Sequence, residues 1–505
     1  MSAVASGALA RAEFFGHPRG LGTLFFMEMW ERFSYYGMRA LLVLFMVDQV
    51  ERGGLAFNDQ TATAVYGLYT AAVYVVALPG GWIADRLLGA QRAVWFGGIV
   101  IMSGHFVLAI PGIATFFLGL ILVVLGTGLL KPNVSAIVGE LYGSDDERRD
   151  AGFTIFYMGI NIGAAIGPLI CGWLARDDWH YGFAAAGIGM LVGLVQFRAT
   201  RDYLGSAGLE PEHAAAGSNL PRRAWTGIVA CLFAIAALLA AGLTDALTFD
   251  AVLLARSATY VIAGVGLLYF AYLFVLGGLS PAERKRVVVI LALFFASAMF
   301  WSGFEQAGSS LNLFAERYTL REFGNFVIPT PWFQSLNPIF IIVLAPLYSM
   351  LWVALARRHM DPTSPVKFAL GLIILGAGFA VMIGAAELVA SGSQVLPTWL
   401  FFTYLLHTMG ELALSPVGLS SVSKLAPRRF VGQMMGVWFL SISLGNIIAG
   451  LIAGEFDPNA VDQMPALYMQ IVVTTVGAGL ILFACAPVLR RLMGERANAA
   501  ASGRS

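Results

Sequence analysis

Residues 27–40 read MEMWERFSYYGMRA, and this stretch decides how the remaining sequence is to be understood. Glu28, Glu31, Arg32 and Arg39 stand inside an apolar run that continues on both sides. A charge at the centre of a bilayer costs roughly 2.5–3.5 kcal/mol on insertion scales, so four of them in one span require partners or a polar cavity. On a helix advancing ~100° per residue, Glu28, Arg32, Tyr35 and Arg39 share one face, with Glu31 and Tyr36 on its shoulders. Ionisable groups in such positions point to function before they point to structure.

The surrounding chain supports a membrane setting. Of its 505 residues, 58% are hydrophobic and only 12% charged, and the mean hydropathy is +0.76. Soluble domains carry about a quarter charged residues, so the fold class expected is an all-α, polytopic membrane protein. A net charge of +1 without a long basic run gives no reason to expect nucleic acid as a partner. Cys171, Cys231 and Cys485 lie in apolar segments without metal or disulfide spacing, and no cofactor is expected. The first twenty residues lack a charged region followed by an apolar core, so no secretory leader is expected.

With about 20 apolar residues needed per span, fourteen segments emerge: 22–49, 62–87, 91–112, 115–142, 148–175, 180–200, 222–243, 251–278, 287–315, 332–356, 366–391, 397–424, 430–453 and 465–489. If the N-terminus lies inside, one side collects most of the basic residues. These include Arg11, Arg19, Arg86, Arg92, Arg148, Arg149, Arg198, Arg201, Arg284, Lys285, Arg286, Arg357, Arg358, Lys424, Arg428, Arg429, Arg490, Arg491, Arg496 and Arg504. The other side receives Arg52, Arg176, Arg256, Arg317 and Arg321. Short cytoplasmic loops collect Lys and Arg, which places both termini in the cytoplasm. The polar connection 202–223 separates six spans from eight, and the next two spans hold no buried acid or base apart from Arg256 near an end. The expected organisation is a six-helix bundle over 1–203, a linker with two additional helices over 204–279, and a second six-helix bundle with a short tail over 280–505.

Polar residues recur within the spans. Lys131 lies in Gly126-Thr-Gly-Leu-Leu-Lys131-Pro132-Asn133, where Pro132 frees a carbonyl one turn earlier and a bend is expected. It needs an acid nearby, and Glu28 or Glu31 is the candidate. Asn133-Val-Ser135 has the form of a glycosylation sequon, but its expected burial sets it aside. Asn161 sits in a run with Gly159, Gly163 and Gly167 at four-residue spacing, which allows close helix approach. An interhelical hydrogen bond and a binding role remain equally open for it. In the second half, Phe300-Trp301-Ser-Gly-Phe304-Glu305-Gln306 places a carboxylate in the ninth span, and Asn337 opens the tenth. The twelfth stacks His407, Glu411 and Ser415 at four-residue spacing, with a bend expected at Pro416. Two potential ligands without a third do not make a metal site. Four deep acids, Glu28, Glu31, Glu305 and Glu411, face three deep bases, Arg32, Arg39 and Lys131. The excess carboxylate suits a proton-coupled machine.

Between the second and third spans, Gly81-Trp-Ile-Ala-Asp85-Arg86-Leu-Leu-Gly89-Ala-Gln-Arg92 resembles the loop signature of the major facilitator superfamily, with one residue more than usual between Asp-Arg and the glycine. Residues 28–37, EMWERFSYYG, together with Phe156-Tyr157-x-x-Ile160-Asn161-x-Gly163 and Phe300-Trp301-x-x-Phe304-Glu305-Gln306, resemble the three signatures of the proton-dependent oligopeptide transporter family, and the two additional helices resemble its bacterial branch. The resemblance implies the major facilitator fold and a multi-pass transporter, not an enzyme, in the bacterial inner membrane. It also implies import of di- and tripeptides by proton symport through alternating access, by a monomer surrounded by lipid.

Carried over by position, the resemblance implies that Arg32 and Lys131 attract the peptide carboxylate, while Glu411, Asn161 and Asn337 receive the amino terminus. Tyr35, Tyr36, Tyr74, Trp438 and, more weakly, Ser415 match pocket positions. Glu28, Glu31, Lys131 and Glu305 match the proton-coupling set, and Arg39 and Glu305 a gate. Nitrate or another small solute on the same scaffold, or a non-transporting peptide receptor, are the alternatives. Glu411 beside the complete Glu-x-x-Glu-Arg set argues for peptides, because nitrate has no amino terminus to bind.

Overall fold

The computed structural model describes residues 13–143, 146–211, 220–244 and 246–494. Arg11, Arg496 and Arg504, the first twelve residues of the expected leaderless start, and 212–219 of the expected linker lie outside these. Among the described residues the chain is almost wholly helical: α1 Arg19–Val47, α2 Asp59–Ile83, α3 Ala90–Leu108, α4 Ile113–Glu140, α5 Arg149–Leu174, α6 Trp179–Thr200, α7 Leu220–Leu243, α8 Ala251–Val275, α9 Pro281–Phe304, the short α10 Ser310–Tyr318, α11 Leu336–Arg357, α12 Ser364–Ala390, α13 Thr398–Leu425, α14 Val431–Ala453 and α15 Met464–Met493. Leaving α10 aside, fourteen long helices match the fourteen expected spans. Eleven helical stretches are long and apolar enough to cross a membrane. The long helices outside that set are α1, α3 and α13, which carry buried or half-buried polar residues such as Glu28, Arg32, His105, His407 and Glu411.

Two compact units account for these helices. The first takes in the chain to Ala56 and Ala72–Asp250, the second Phe57–Ala71 and the chain from Ala251. Helix α2 therefore belongs to the second unit up to Ala71 and to the first thereafter.

In the first unit, Leu21, Leu24, Met27, Leu130, Val134, Ile137, Phe156, Met190 and Phe197 build a core among α1, α4, α5 and α6. The glycines of α5 act as expected. A Cβ on Gly163 would run into the carbonyl of Met29, and one on Gly167 into that of Phe33, so α5 lies backbone to backbone against α1. Helix α4 passes Pro132 without interruption. Proline cannot donate to the carbonyl of Gly128, and that carbonyl abuts Gly80 of α2, where any Cβ would collide with it.

The loop after α2 explains the additional residue in its signature. Ala84–Leu88 form a single π-turn, which absorbs one inserted residue, and Gly89 closes it at φ +79°. A side chain at Gly89 would also meet the Leu209 carbonyl at 2.6 Å. Just beyond, the Gln91 amide nitrogen donates to the Ala207 carbonyl at 2.7 Å, while its oxygen accepts from Arg201 Nε at 3.0 Å. Glu140 accepts from the Gly208 amide at 2.7 Å. These bonds tie the ends of α3, α4 and α6 together.

In the second unit, the expected continuous span 287–315 is broken. Helix α9 starts early, at Pro281, because Ser280 and Glu283 form a reciprocal capping box with proline in the first turn. It stops at Phe304, a tight turn occupies Glu305–Gly308, and α10 resumes at Ser310. Gln306 satisfies much of the break: its amide donates to the carbonyls of Ala449 at 3.1 Å and Ser302 at 3.3 Å, and its oxygen accepts from the Ser310 hydroxyl at 2.6 Å. Tyr404 donates to the Ala307 carbonyl at 3.3 Å. Such partners are what permit non-helical backbone at membrane depth.

Candidate functional site

In the first unit the charged stripe of α1 is buried as a group. Glu28 is 3% exposed, Glu31 0%, Arg32 3% and Arg39 7%. Arg32 Nε contacts both carboxylates, Glu28 Oε1 at 3.4 Å and Glu31 Oε2 in a short hydrogen bond. Two acids thus share one guanidinium. Glu28 Oε2, Glu31 Oε1 and Arg32 Nη2 are buried without a hydrogen-bond partner among the described residues. Orphaned polar atoms of this kind carry the full desolvation cost of about 1–3 kcal/mol each, more when charged. Three of them on adjacent side chains make this the least satisfied polar group of α1.

Aromatic rings flank the bases. The Arg32 guanidinium carbon lies 4.9 Å from the Tyr35 ring centre and 5.9 Å from that of Tyr36, which also sits 5.6 Å from Arg39. Lys131 Nζ stands 4.4 Å over the Tyr74 ring. Lys131 is half-buried rather than fully enclosed. Asn161 is 4% exposed, and its amide donates to the Tyr157 carbonyl at 2.9 Å within its own helix. Asn133 does the same toward Leu129 at 2.6 Å and is buried, which removes the sequon from consideration.

In the second unit the structure brings Asn337 and Glu411 together. The Asn337 amide donates to Glu411 Oε2 at 2.8 Å and lies 3.0 Å from the Thr408 hydroxyl, so the half-buried carboxylate is held in one orientation. Ser415, one turn further along α13, is half-buried as well. Trp438 is only 4% exposed, packed edge-on against Phe368 and over Gly418, so its ring braces α12 and α13. His407 is buried beside Phe379 with neither ring nitrogen hydrogen-bonded among the described residues. No group of three metal-binding side chains occurs among them.

Glu305, 4% exposed, sits at the start of the break between α9 and α10 and accepts from the Tyr66 hydroxyl at 3.4 Å. A side chain on Gly308 would collide with that same hydroxyl. Sequence reasoning missed Tyr66, and it also missed the bidentate ion pair in which Arg317 grips Asp59 at 2.5 and 2.8 Å. Both pairs join the first half of α2 to the broken helix. The available signals were Asp59 just before one span and Arg317 just after another, of which only Arg317 was counted, as a loop charge.

The chain resembles known proteins over nearly its whole length. The POT family profile, PTR2, matches residues 91–467. A peptide transporter from Yersinia enterocolitica is 45% identical over 95% of this chain and 96% of its own. A di-/tripeptide transporter from Lactococcus lactis is 36% identical over 95% and 98%. Among solved structures, a peptide transporter in complex with sulfate matches at a TM-score of 0.89 and 43% identity over 96% of this chain and 97% of that one. A mutant peptide transporter in complex with alafosfalin matches at 0.88 and 42% over the same shares. The fold is therefore the major facilitator type with two additional helices, and no enzyme activity belongs to it. This multi-pass membrane protein belongs to the POT family, the proton-dependent oligopeptide transporters.

Proposed function

We propose that this protein imports di- and tripeptides together with protons, by alternating access, across the bacterial inner membrane. The observation that carries the reading is the buried trio on α1, where one guanidinium serves two carboxylates and a donor and two acceptors remain unsatisfied. Arg32 Nη2 suits the carboxylate of a peptide, with Lys131 as a second positive charge. Glu28 and Glu31 suit protons, because protonating either one relieves the crowding of two acids on one base. In the second unit, Glu411 held by Asn337 suits a peptide ammonium group, and in the first unit Asn161 offers an amide. Tyr35, Tyr36, Tyr74, Trp438 and Ser415 line or brace the site. Aromatic walls add apolar contact without specifying side chains.

Arg39 and Glu305 take the gate, and Glu305 joins Glu28, Glu31 and Lys131 in coupling. Functional halves run over 1–203 and 280–505, with 204–279 as a linker carrying α7 and α8. Both termini lie in the cytoplasm, and a monomer in lipid is the working unit. Transport of a zwitterion with protons moves positive charge inward, so voltage drives it as well as the pH gradient.

Uptake of labelled di-alanine and tri-alanine into proteoliposomes, under an imposed pH gradient and separately under an imposed potential, tests this. Accumulation under both forces is expected. Absence of uptake under either force refutes the proposal.

A further inference from the structure

One end of the second unit carries a cavity of about 850 Å³ that the transport reading does not use. It lies where α8 and α13 end and α9 and α14 begin, and its lining includes Arg286, Lys424, Arg428 and Arg429 against the single carboxylate Glu283. Two of these charges are already engaged. Arg429 donates to the carbonyls of Gly277 and Gly278 at 2.9 and 2.6 Å, and Glu283 caps the Ser280 amide at 2.8 Å. A hydrogen bond of 2.9 Å from Tyr269 to Gln433 fixes α8 to α14 on the same side. The walls are therefore held in place, and since Glu283 offsets one base, with Arg429 at 4.0 Å, the lining keeps a net positive charge to which Arg286, Lys424 and Arg428 contribute. The first turn of α14, whose backbone N–H groups favour anions, borders it at Val431.

Beside this basic hollow the surface turns abruptly apolar. Val275 is 76% exposed and Leu276 74%, immediately before the Gly277-Gly278 turn that Arg429 holds. A soluble anion needs only the basic half of this arrangement. A basic pocket between helix ends with an exposed aliphatic flank matches a molecule whose phosphodiester and acyl chains are joined. From this juxtaposition we infer that the cavity is a binding site for an anionic phospholipid, its phosphodiester among Arg286, Lys424 and Arg428 and its acyl chains along Val275 and Leu276. The lipid would bridge α8, the second inserted helix, to α13 and α14. This inference rests on the chain's being a membrane protein and not on what it transports, so its failure is distinct from failed peptide uptake.

The test measures binding of dioleoyl-phosphatidylglycerol and dioleoyl-phosphatidylcholine to the purified full chain by native mass spectrometry. The variant combines Arg286→Gln, Lys424→Gln and Arg428→Gln and leaves Arg429 in place. A basic side chain near an anionic surface is worth about fivefold in affinity before salt screening. Phosphatidylglycerol is expected to bind the native chain at least ~10-fold better than phosphatidylcholine, and the triple variant should lose that preference. The pair Arg357→Gln and Arg358→Gln, outside the cavity, should retain it. Equal loss in both variants would reduce the effect to general attraction, and an unchanged preference in the triple variant would remove the site. Displacement of phosphatidylglycerol by equimolar glycerol phosphate would assign the cavity to soluble phosphates and overturn the lipid. Should the triple variant lose its monodisperse elution, the single Lys424→Gln and Arg428→Gln chains replace it, each expected to weaken phosphatidylglycerol ~5-fold.

Discussion

Helix α1 in the first unit and the α9–α10 pair in the second bury acidic side chains by opposite means. On α1 the helix is unbroken from Arg19 to Val47, and Glu28 and Glu31 are answered by a side chain of the same helix, Arg32. At Glu305 the helix itself stops, and the surrounding backbone is answered by Gln306 and Tyr404 while the carboxylate takes a hydroxyl from Tyr66. The first arrangement concentrates charge and leaves polar atoms unsatisfied. The second answers the interrupted backbone with neutral side chains, Gln306 and Tyr404. A cluster of the first kind suits a response to a proton or an anion, whereas a break of the second kind suits a joint between two helical pieces.

The largest expected effect breaks the first arrangement. Arg32→Ala would leave two buried carboxylates facing each other, and removing one partner of a buried pair costs about 3–5 kcal/mol. Peptide uptake should fall by at least ~100-fold, more than 2.7 kcal/mol on the free-energy scale, and thermal unfolding in detergent should show the lower stability. Arg32→Lys keeps the charge but loses the guanidinium fork, so it should retain stability while weakening peptides. Equal loss of stability in the two variants would mean that charge balance is not what Arg32 contributes.

The second arrangement should yield less. Gln306→Ala leaves the Ala449 carbonyl and the Ser310 hydroxyl without their partner, at about 1–3 kcal/mol for buried groups. A lower melting temperature with peptide affinity unchanged is expected. Weakened peptide binding would instead place Gln306 in the substrate site.

The contrast also explains what could be read from the sequence. Charges in an apolar run stand out, so α1 was legible down to its polar face, and the fourteen spans followed from length alone. The break was not, because the apolar pattern continues through Phe304 and resumes at Leu311. Its one signal was the polar and small run Glu305-Gln-Ala-Gly-Ser-Ser310, poor in helix formers. Asn337 and Glu411 were each legible as polar residues in apolar helices, but their 2.8 Å hydrogen bond depends on how α11 packs on α13. Trp438 was a pocket position by resemblance alone, and only packing shows that its ring also braces Phe368 and Gly418. Tyr66 resembled any core tyrosine until the turn at Gly308 brought Glu305 to its hydroxyl.

Close helix contact gives an effect of similar size from a different cause. Gly163→Ala puts a methyl group against the Met29 carbonyl, and overpacking of this kind costs about 1–3 kcal/mol. Since Met29 flanks Glu28, the shift should also lower uptake, whereas Gly432→Ala, with open space around it, should change neither.

The smallest effect on stability, and the most informative about the joint, belongs to Asp59 and Arg317. Their side chains are 13% and 28% exposed, so water screens the pair despite its bidentate geometry. Asp59→Asn should therefore cost only about 1 kcal/mol. The pair nevertheless ties the first turn of α2 to the last turn of α10, on the far side of the break from Glu305. If it acts as a latch on that joint, Asp59→Asn should alter the rate of uptake without altering equilibrium peptide binding. The reversed pair, Asp59→Arg with Arg317→Asp, should restore the rate that either single reversal loses. Failure of the reversed pair to recover, with each single variant folded, would show that the side chains act separately and that the pair is no latch on the joint.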